Sequence, residues 1–181
     1  MQPFEFIMVL ISIIIALGVA ELLAGVVRIL RGELRFYWIH GLWIFNLFIL
    51  QLQYCWSLFD LETRDEWVFA DLVWLLIPAI VLFLVSSLLF PSRNAQGKLA
   101  ELYFANRKQV FGLLTALMLY YAINSFSISV MTAIQFCGAL MMGVLFFTPH
   151  RRTHAILALL MSAAVLFMVA AFSYTLGESS F

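Results

Sequence analysis

Two ionisable side chains lie next to or within long apolar runs, where they could move a proton or bind a cation. Glu21 belongs to "GVAELLAGVVRILRGELR" (18–35) and precedes Arg28 by seven residues, while His40 follows Arg35 by five. At 1.5 Å per helical residue, the two side chains lie roughly 8–10 Å from the basic segment between them. A carboxylate beside an imidazole inside a membrane can relay a proton or hold a cation. The sequence therefore predicts a Glu21–His40 pair.

The alternative is that Glu21 has a structural role, as a neutral carboxyl or as a partner of Arg28 or of a backbone group. Gly18, Glu21, Gly25 and Arg28 recur at helical spacing and share one face. Small residues allow another helix to approach closely. We therefore expect Glu21 to point into a helix interface rather than at lipid.

Further polar residues follow in the next two apolar runs. Asn46 and Gln51 lie in "IHGLWIFNLFILQLQYCW" (39–56), and Asp71 lies near the start of the third run, seven residues before Pro78. They indicate an outer polar path for an ion, although interhelical hydrogen bonds or an Asp71 at the membrane interface would also account for them. Pro78 is expected to free a backbone carbonyl in mid-helix.

Composition indicates the elements that position these groups. Of 181 residues, 65% are hydrophobic and 11% are charged, which is typical of a membrane protein. Six runs approach the roughly 20 residues that a membrane-spanning helix needs. The predicted fold is therefore all-α, a polytopic membrane protein with one six-helix domain over 1–181, and its spans are Phe4–Val27, Phe36–Phe59, Trp67–Phe90, Val110–Ile128, Val130–Phe147 and Ala155–Leu176.

Basic residues mark one side of the predicted bundle. Nine of the ten Lys and Arg residues fall in alternate connections, at 28, 31, 35, 93, 98, 107, 108, 151 and 152, and Arg64 is the exception. Such connections face the cytoplasm. Both termini and the uncharged connection 127–129 are thereby predicted to lie outside (N-out, C-out).

Two local patterns refine the connections. "TRDE" (63–66) is typical of a capping box that opens the third span. Residues 97–109 have helical spacing of apolar positions, with charges elsewhere around the axis. We expect a short interfacial helix there, or else an extension of the fourth span.

Several chemistries are excluded or disfavoured by the sequence. It has no nucleophile elbow, metalloprotease or P-loop spacing, and no lysine within a span, so we predict no enzyme, no cofactor and no metal site. Cys55 and Cys137 are read as buried thiols. One cofactor alternative stays open, a haem held by His40 with His154 near His150.

The stretches "LISIIIALGVAELLAGVVRILRG", "FYWIHGLWIFNLFILQLQYCWSLF" and "WVFADLVWLLIPAIVLFLVSSLLFP" together resemble a group of uncharacterised bacterial multipass membrane proteins. The resemblance covers about the first half of the chain, implies a bacterial inner (plasma) membrane and brings no activity with it.

The leading prediction is a small ion or proton channel or transporter that uses Glu21 and His40, with Asn46, Gln51 and Asp71 as the outer path. One alternative is a non-catalytic scaffold or accessory subunit that binds a membrane partner through its Trp-rich second and third spans. The other is a protein that binds a lipophilic cofactor, haem or quinone. Expected partners are the lipid bilayer and a second copy or another membrane protein, with no nucleic acid.

Overall fold

The computed structural model describes residues 3–64, 66–91, 97–124 and 130–178. This part of the chain is almost entirely helical, as predicted. Its helices are α1 (Pro3–Leu30), α2 (Trp38–Ser57) with a 3-10 turn (Leu58–Leu61), α3 (Phe69–Leu89), α4 (Leu99–Ala105), α5 (Arg107–Asn124), α6 (Val130–Phe147) and α7 (Arg151–Glu178).

Four helices of the described part are long and apolar enough to cross a membrane: α1, α2 with its 3-10 turn, α3 and α7 over Arg151–Ala170. Helices α5 and α6 overlap the two remaining predicted spans, with α5 beginning three residues earlier than predicted, at Arg107, and each has 18 residues. At 1.5 Å per residue they measure about 27 Å, slightly less than a hydrocarbon core of about 30 Å. Most positions of the six predicted spans are helical; residues 36, 37, 67, 68 and 90 are not, and residues 125–128 lie outside the described part.

Helices α1 and α3 run parallel, in contact from end to end. The rings of Phe4 and Trp67 lie 6.4 Å apart at one end. At the other end Arg28 Nη1 donates to the carbonyl oxygen of Pro91 at 2.9 Å. Midway, Gly18 brings the two backbones together, because a Cβ at this position would lie 3.3 Å from Cα of Phe83.

Helix α2 runs in the opposite direction against this pair and is the most enclosed helix. Tyr54, near its end, donates a hydrogen bond to the Leu75 carbonyl near the start of α3. His40, near its beginning, contacts Phe90 at the end of α3. The remaining face of α2 packs along α7.

Helices α5 and α6 form an antiparallel hairpin that closes the bundle between α3 and α7. Gly112 lies beside Phe146 where α5 begins and α6 ends, and Gly138 lies beside Met118 towards the opposite end. The Trp43 indole of α2 reaches the Phe111 ring of α5, with centroids 5.0 Å apart. This aromatic contact joins α2 to α5.

The helix predicted over 97–109 is a separate element, α4, rather than an extension of α5. Asn106 leaves the helical conformation between them, with φ −90° and ψ 1°. Leu99 and Tyr103 are buried. Helix α4 therefore places one face into the basic end of the bundle, where Arg28 and Arg151 also lie.

A glycine ends α1. Gly32 has φ 76°, a left-handed conformation that a side chain would strain. The Gly32 amide donates to the Ile29 carbonyl and the Glu33 amide to the Arg28 carbonyl, a Schellman motif. The chain then forms β1 (Leu34–Arg35), which pairs in parallel with β2 (Gly97–Lys98).

The predicted capping box is wrong in position. Helix α3 begins at Phe69, and its cap comes from Asp71, whose Oδ2 accepts the backbone N–H of Val68 at 3.0 Å. The same oxygen is 2.9 Å from Arg64 Nη2. Arg64, which lies at the opposite end of the bundle from Arg28 and Arg151, thus has an acidic partner there in Asp71. Asp65, Arg93 and the connection 127–129 lie outside the described residues.

Candidate functional site

Three of the predicted site residues lie along α2, although at 3.6 residues per turn Asn46 projects from the helix roughly 120–140° away from His40 and Gln51. His40, Asn46 and Gln51 are each 0% exposed. Eleven residues separate His40 from Gln51, so by helical rise the three side chains extend over roughly 16 Å along the helix axis. Each has at least one polar atom without a hydrogen-bond partner in the described part of the chain. We call them the α2 polar column.

His40 begins the column at the basic end. Its ring packs edge-on against Phe90 and Tyr103, with centroids 5.5 Å and 6.1 Å away. Neither ring nitrogen has a hydrogen-bond partner among the described residues. Beside the ring is a cavity of about 10 Å³, to which Tyr103 and Asn106 also contribute.

Tyr103 connects this region to a second histidine. Its hydroxyl lies 2.8 Å from Nδ1 of His154, and Nε2 of His154 lies 2.8 Å from the Thr148 carbonyl. A carbonyl only accepts, so Nε2 carries a hydrogen, and in the neutral ring Nδ1 accepts from Tyr103. Burial raises the pKa of the Tyr103 hydroxyl above its ordinary range, which keeps it protonated as the donor.

Asn46 occupies the middle of the column. Both its side-chain nitrogen and its side-chain oxygen lack partners within the described chain. A buried polar atom left in this state costs about 1–3 kcal/mol. Asn46 therefore destabilises the fold, because within the described residues its side chain makes no hydrogen bond that would offset this cost.

Gln51 is the last residue of the column, and only the nitrogen of its amide has a hydrogen-bond partner in the described residues. Its Nε2 donates to Ser86 Oγ at 2.7 Å, and Ser86 in turn donates to the Leu82 carbonyl at 2.8 Å. Its Oε1 has no partner in the described residues and faces α1, where a Cβ on Gly18 would lie 3.1 Å away. The glycine leaves space for this amide.

Glu21 is placed near the column and not within it. It is half-buried on α1, between Gly18, which contacts Gln51, and Gly25, which contacts Phe90 beside His40. No hydrogen bond joins Glu21 to His40, since both His40 nitrogens lack partners in the part of the chain described. The predicted pair is thus not formed, although Glu21 lies at a height between His40 and Gln51.

Asp71 has a structural role at the start of α3, in the cap and the ion pair with Arg64. This is the interfacial alternative, in which Asp71 belongs to the end of the helix. The Arg64 guanidinium also lies over the Trp67 ring, 5.0 Å from its centroid. The structure does not bring Asp71 into the α2 polar column.

Pro78 has the expected effect on α3. Without an N–H it leaves the carbonyl of Trp74, four residues earlier, without its helical donor. The Tyr120 hydroxyl of α5 donates to that oxygen at 2.8 Å, and the Tyr54 hydroxyl of α2 donates to the next carbonyl, on Leu75. Two tyrosines therefore hold the interrupted backbone of α3.

This arrangement predicts a dependence between Tyr120 and Pro78. Tyr120→Phe is expected to lower the free energy of unfolding by about 1 kcal/mol, because the Trp74 carbonyl loses its donor. In a Pro78→Ala background the alanine amide can bond that carbonyl, so Tyr120→Phe should cost much less. Unfolding in mixed micelles measures both. An equal cost in the two backgrounds would contradict the assignment.

The haem alternative does not fit this arrangement. Tyr103 lies between the two imidazoles, and both nitrogens of His154 are in hydrogen bonds. The cavity beside His40, about 10 Å³, is far smaller than a porphyrin. In the described residues no group of three or more His, Cys, Asp or Glu side chains is placed to hold a metal ion.

The tryptophans differ in exposure, which bears on the scaffold alternative. Trp43 is buried in the core, whereas Trp38, Trp56 and Trp74 are exposed. A partner could contact these three, and it could not contact Trp43. The small residues of α1 lie on two faces of the helix. Gly18 and Gly25 are buried within the chain, and a second stripe at four-residue spacing is exposed, comprising Ser12, Ala16, Ala20 and Ala24. A homo-oligomer through that stripe stays a prediction.

Comparison with protein-family models, curated proteins and solved structures finds no match to this chain. Any functional conclusion therefore depends on the residues and their geometry.

Proposed function

We propose that this protein is a proton channel or transporter whose path follows the α2 polar column. The observation that carries the proposal is that His40, Asn46 and Gln51 are fully buried with unpartnered polar atoms. Such atoms destabilise a helix bundle, and apolar residues of similar shape would avoid the cost. A role in passing protons gives a reason for these polar groups. The proposed role is not enzymatic.

The geometry favours a proton over a larger ion. The cavity beside His40, about 10 Å³, is of the size of a single water molecule. A hydrated or bare alkali cation needs several oxygen ligands, and Asn46 and Gln51 supply only two side-chain oxygens, at different heights. A proton needs only hydrogen-bonding groups in sequence, with an imidazole that can accept and release it.

Glu21 is proposed as a second titratable group beside the path. It is half-buried on the neighbouring helix α1, at a height between His40 and Gln51. Asp71 is left out of the proposed path because its carboxylate caps α3.

The proposed setting is a bacterial inner membrane, crossed six times with both termini outside. Helix directions support this arrangement, since α1 and α3 end, and α2 and α7 begin, at the basic end of the bundle. The positive-inside rule assigns that end to the cytoplasm. The predicted sidedness is tested by labelling single cysteines introduced in the connections.

The test of the proposed path is proton uptake into proteoliposomes under an imposed voltage. His40→Gln keeps a polar side chain that does not titrate, and it is expected to reduce uptake at least tenfold. His150→Gln is the matched control, because His150 is exposed and should leave uptake unchanged. Equal uptake by the wild type and folded His40→Gln would contradict the role of His40.

The scaffold alternative makes the opposite prediction. A folded protein that takes up no protons above protein-free vesicles, but loses a co-purifying membrane protein on Trp56→Ala, would favour it. Trp43→Ala is unsuitable for that test, because it would disturb the core contact with Phe111.

A further inference from the structure

Positive charge at the basic end of the bundle exceeds what the acidic side chains at that end neutralise. Among the described residues, Glu33 and Glu101 already form ion pairs with Arg28 and Lys98. The other cations at this end have no ion-pair partner in the described chain, namely Arg31, Arg35, Arg107, Lys108, Arg151 and Arg152. The surface at this end is therefore complementary to an anion.

Two of these cations, Arg107 and Arg151, are held against the same pair of aromatic residues. The Arg151 guanidinium lies over the Tyr37 ring, with its Cζ 5.3 Å from the ring centroid. Arg107 Nη1 donates to the Phe104 carbonyl at 3.3 Å, and the Phe104 and Tyr37 rings have centroids 6.5 Å apart. Both guanidiniums thus lie in one neighbourhood, and their contacts reduce the entropy that they would lose on binding an anion.

The place of these two arginines in the fold favours a lipid phosphate over a phosphate in solution. Arg107 and Arg151 are the first residues of α5 and α7, which puts them at the membrane boundary in the proposed arrangement. Trp38, which begins α2, and Phe147, which ends α6, lie at the same end and are 46% and 78% exposed. Basic side chains at this level attract anionic lipids, and exposed apolar side chains can contact the glycerol and acyl chains.

We infer that Arg107 and Arg151 together bind the phosphate of one anionic phospholipid in the leaflet at the basic end. A guanidinium presents parallel N–H donors that match two phosphate oxygens, whereas an ammonium group is a point charge. Within the described chain the Arg151 side chain donates no hydrogen bond, so its N–H groups are available to the phosphate. This site is independent of the proposed proton path.

Native mass spectrometry of the purified protein tests the site. The protein is released from mixed micelles that contain equal amounts of dioleoylphosphatidylglycerol and dioleoylphosphatidylcholine, which have the same acyl chains and differ in net charge. We expect the wild type to retain one phosphatidylglycerol, with a preference over phosphatidylcholine of about tenfold or more. Equal retention of the two lipids would overturn the inference.

Charge-matched variants distinguish this site from the general positive charge of the basic end. Arg151→Lys and Arg107→Lys keep the charge but lose the planar guanidinium, so each should lower the preference about threefold or more. Arg31→Gln removes the charge of an exposed arginine that follows α1, a helix that packs along α3, and should change the preference by less than about twofold. An unchanged preference in both lysine variants, or a larger effect of Arg31→Gln, would contradict the assignment.

Inorganic phosphate distinguishes a lipid from a small anion. It lacks the glycerol and acyl chains that contact the exposed apolar side chains, so an excess of it should leave the phosphatidylglycerol bound. Displacement of the lipid by inorganic phosphate would overturn the inference in favour of a site for a small anion.

Discussion

Asn46→Leu is expected to stabilise the protein and to abolish proton uptake. Both polar atoms of Asn46 are buried without a partner in the described chain, so a leucine of the same branching removes a cost of about 1–3 kcal/mol. The same change interrupts the α2 polar column in its middle. Unfolding in mixed micelles and uptake into proteoliposomes measure the two effects on the same preparation.

Asn106→Leu is the matched control, because this asparagine does have a partner. Its Nδ2 donates to the Leu88 carbonyl near the end of α3, and its loss leaves that oxygen without a donor. The same substitution should therefore lower the free energy of unfolding by about 1–3 kcal/mol at position 106. Destabilisation of similar size at both positions would contradict the description of Asn46 as unpartnered.

Gly25→Ala is expected to destabilise the protein. A Cβ at position 25 would overlap the ring of Phe90. That ring is buried and packs against His40, and Arg28 holds the following residue through its carbonyl. The ring cannot move without displacing His40, so we expect a loss of about 1–3 kcal/mol from overpacking, together with reduced proton uptake.

Gly143→Ala provides the comparison for Gly25→Ala. A Cβ at position 143 on α6 meets no atom within 4 Å, and both glycines are helical. The gain in helix propensity, up to about 1 kcal/mol, is common to the two changes. The difference between their unfolding free energies therefore reports the contact with Phe90. Equal stability of the two variants would show that the α1–α3 contact is looser than described.

The sequence predicts the helices of this protein well. Long apolar runs form few structures other than helices in a membrane. Gly32 ends α1, and Asn106 separates α4 from α5. Helical spacing also predicted a buried face on α1. The start of α3 was misplaced, because "TRDE" matches a capping box, whereas Asp71 caps the helix five residues later than expected.

The polar site was predicted only in part. Burial of His40, Asn46 and Gln51 follows from their apolar surroundings, but which of them find partners depends on the packing of other helices. Tyr103 and Ser86 looked like ordinary core or helix residues. Their roles arise from contacts across 51 and 35 positions of the chain, which periodicity cannot reveal.

The Glu21–His40 pair failed for a similar reason. The similar depth of Glu21 and His40 along their helices made a contact possible. Whether the contact forms depends on how each helix is rotated about its own axis. The face of α2 that carries His40 turns towards Phe90, Tyr103 and the cavity, and Glu21 stays on α1 between its two buried glycines.

If this protein carries protons and not larger cations, the two must differ in flux. Proteoliposomes that hold the wild-type protein would be given the same inward voltage with either a proton or a potassium gradient. We expect proton uptake clearly above that of protein-free vesicles, with potassium uptake no faster than theirs. Absence of proton uptake by folded protein, or potassium uptake of equal rate, would contradict it.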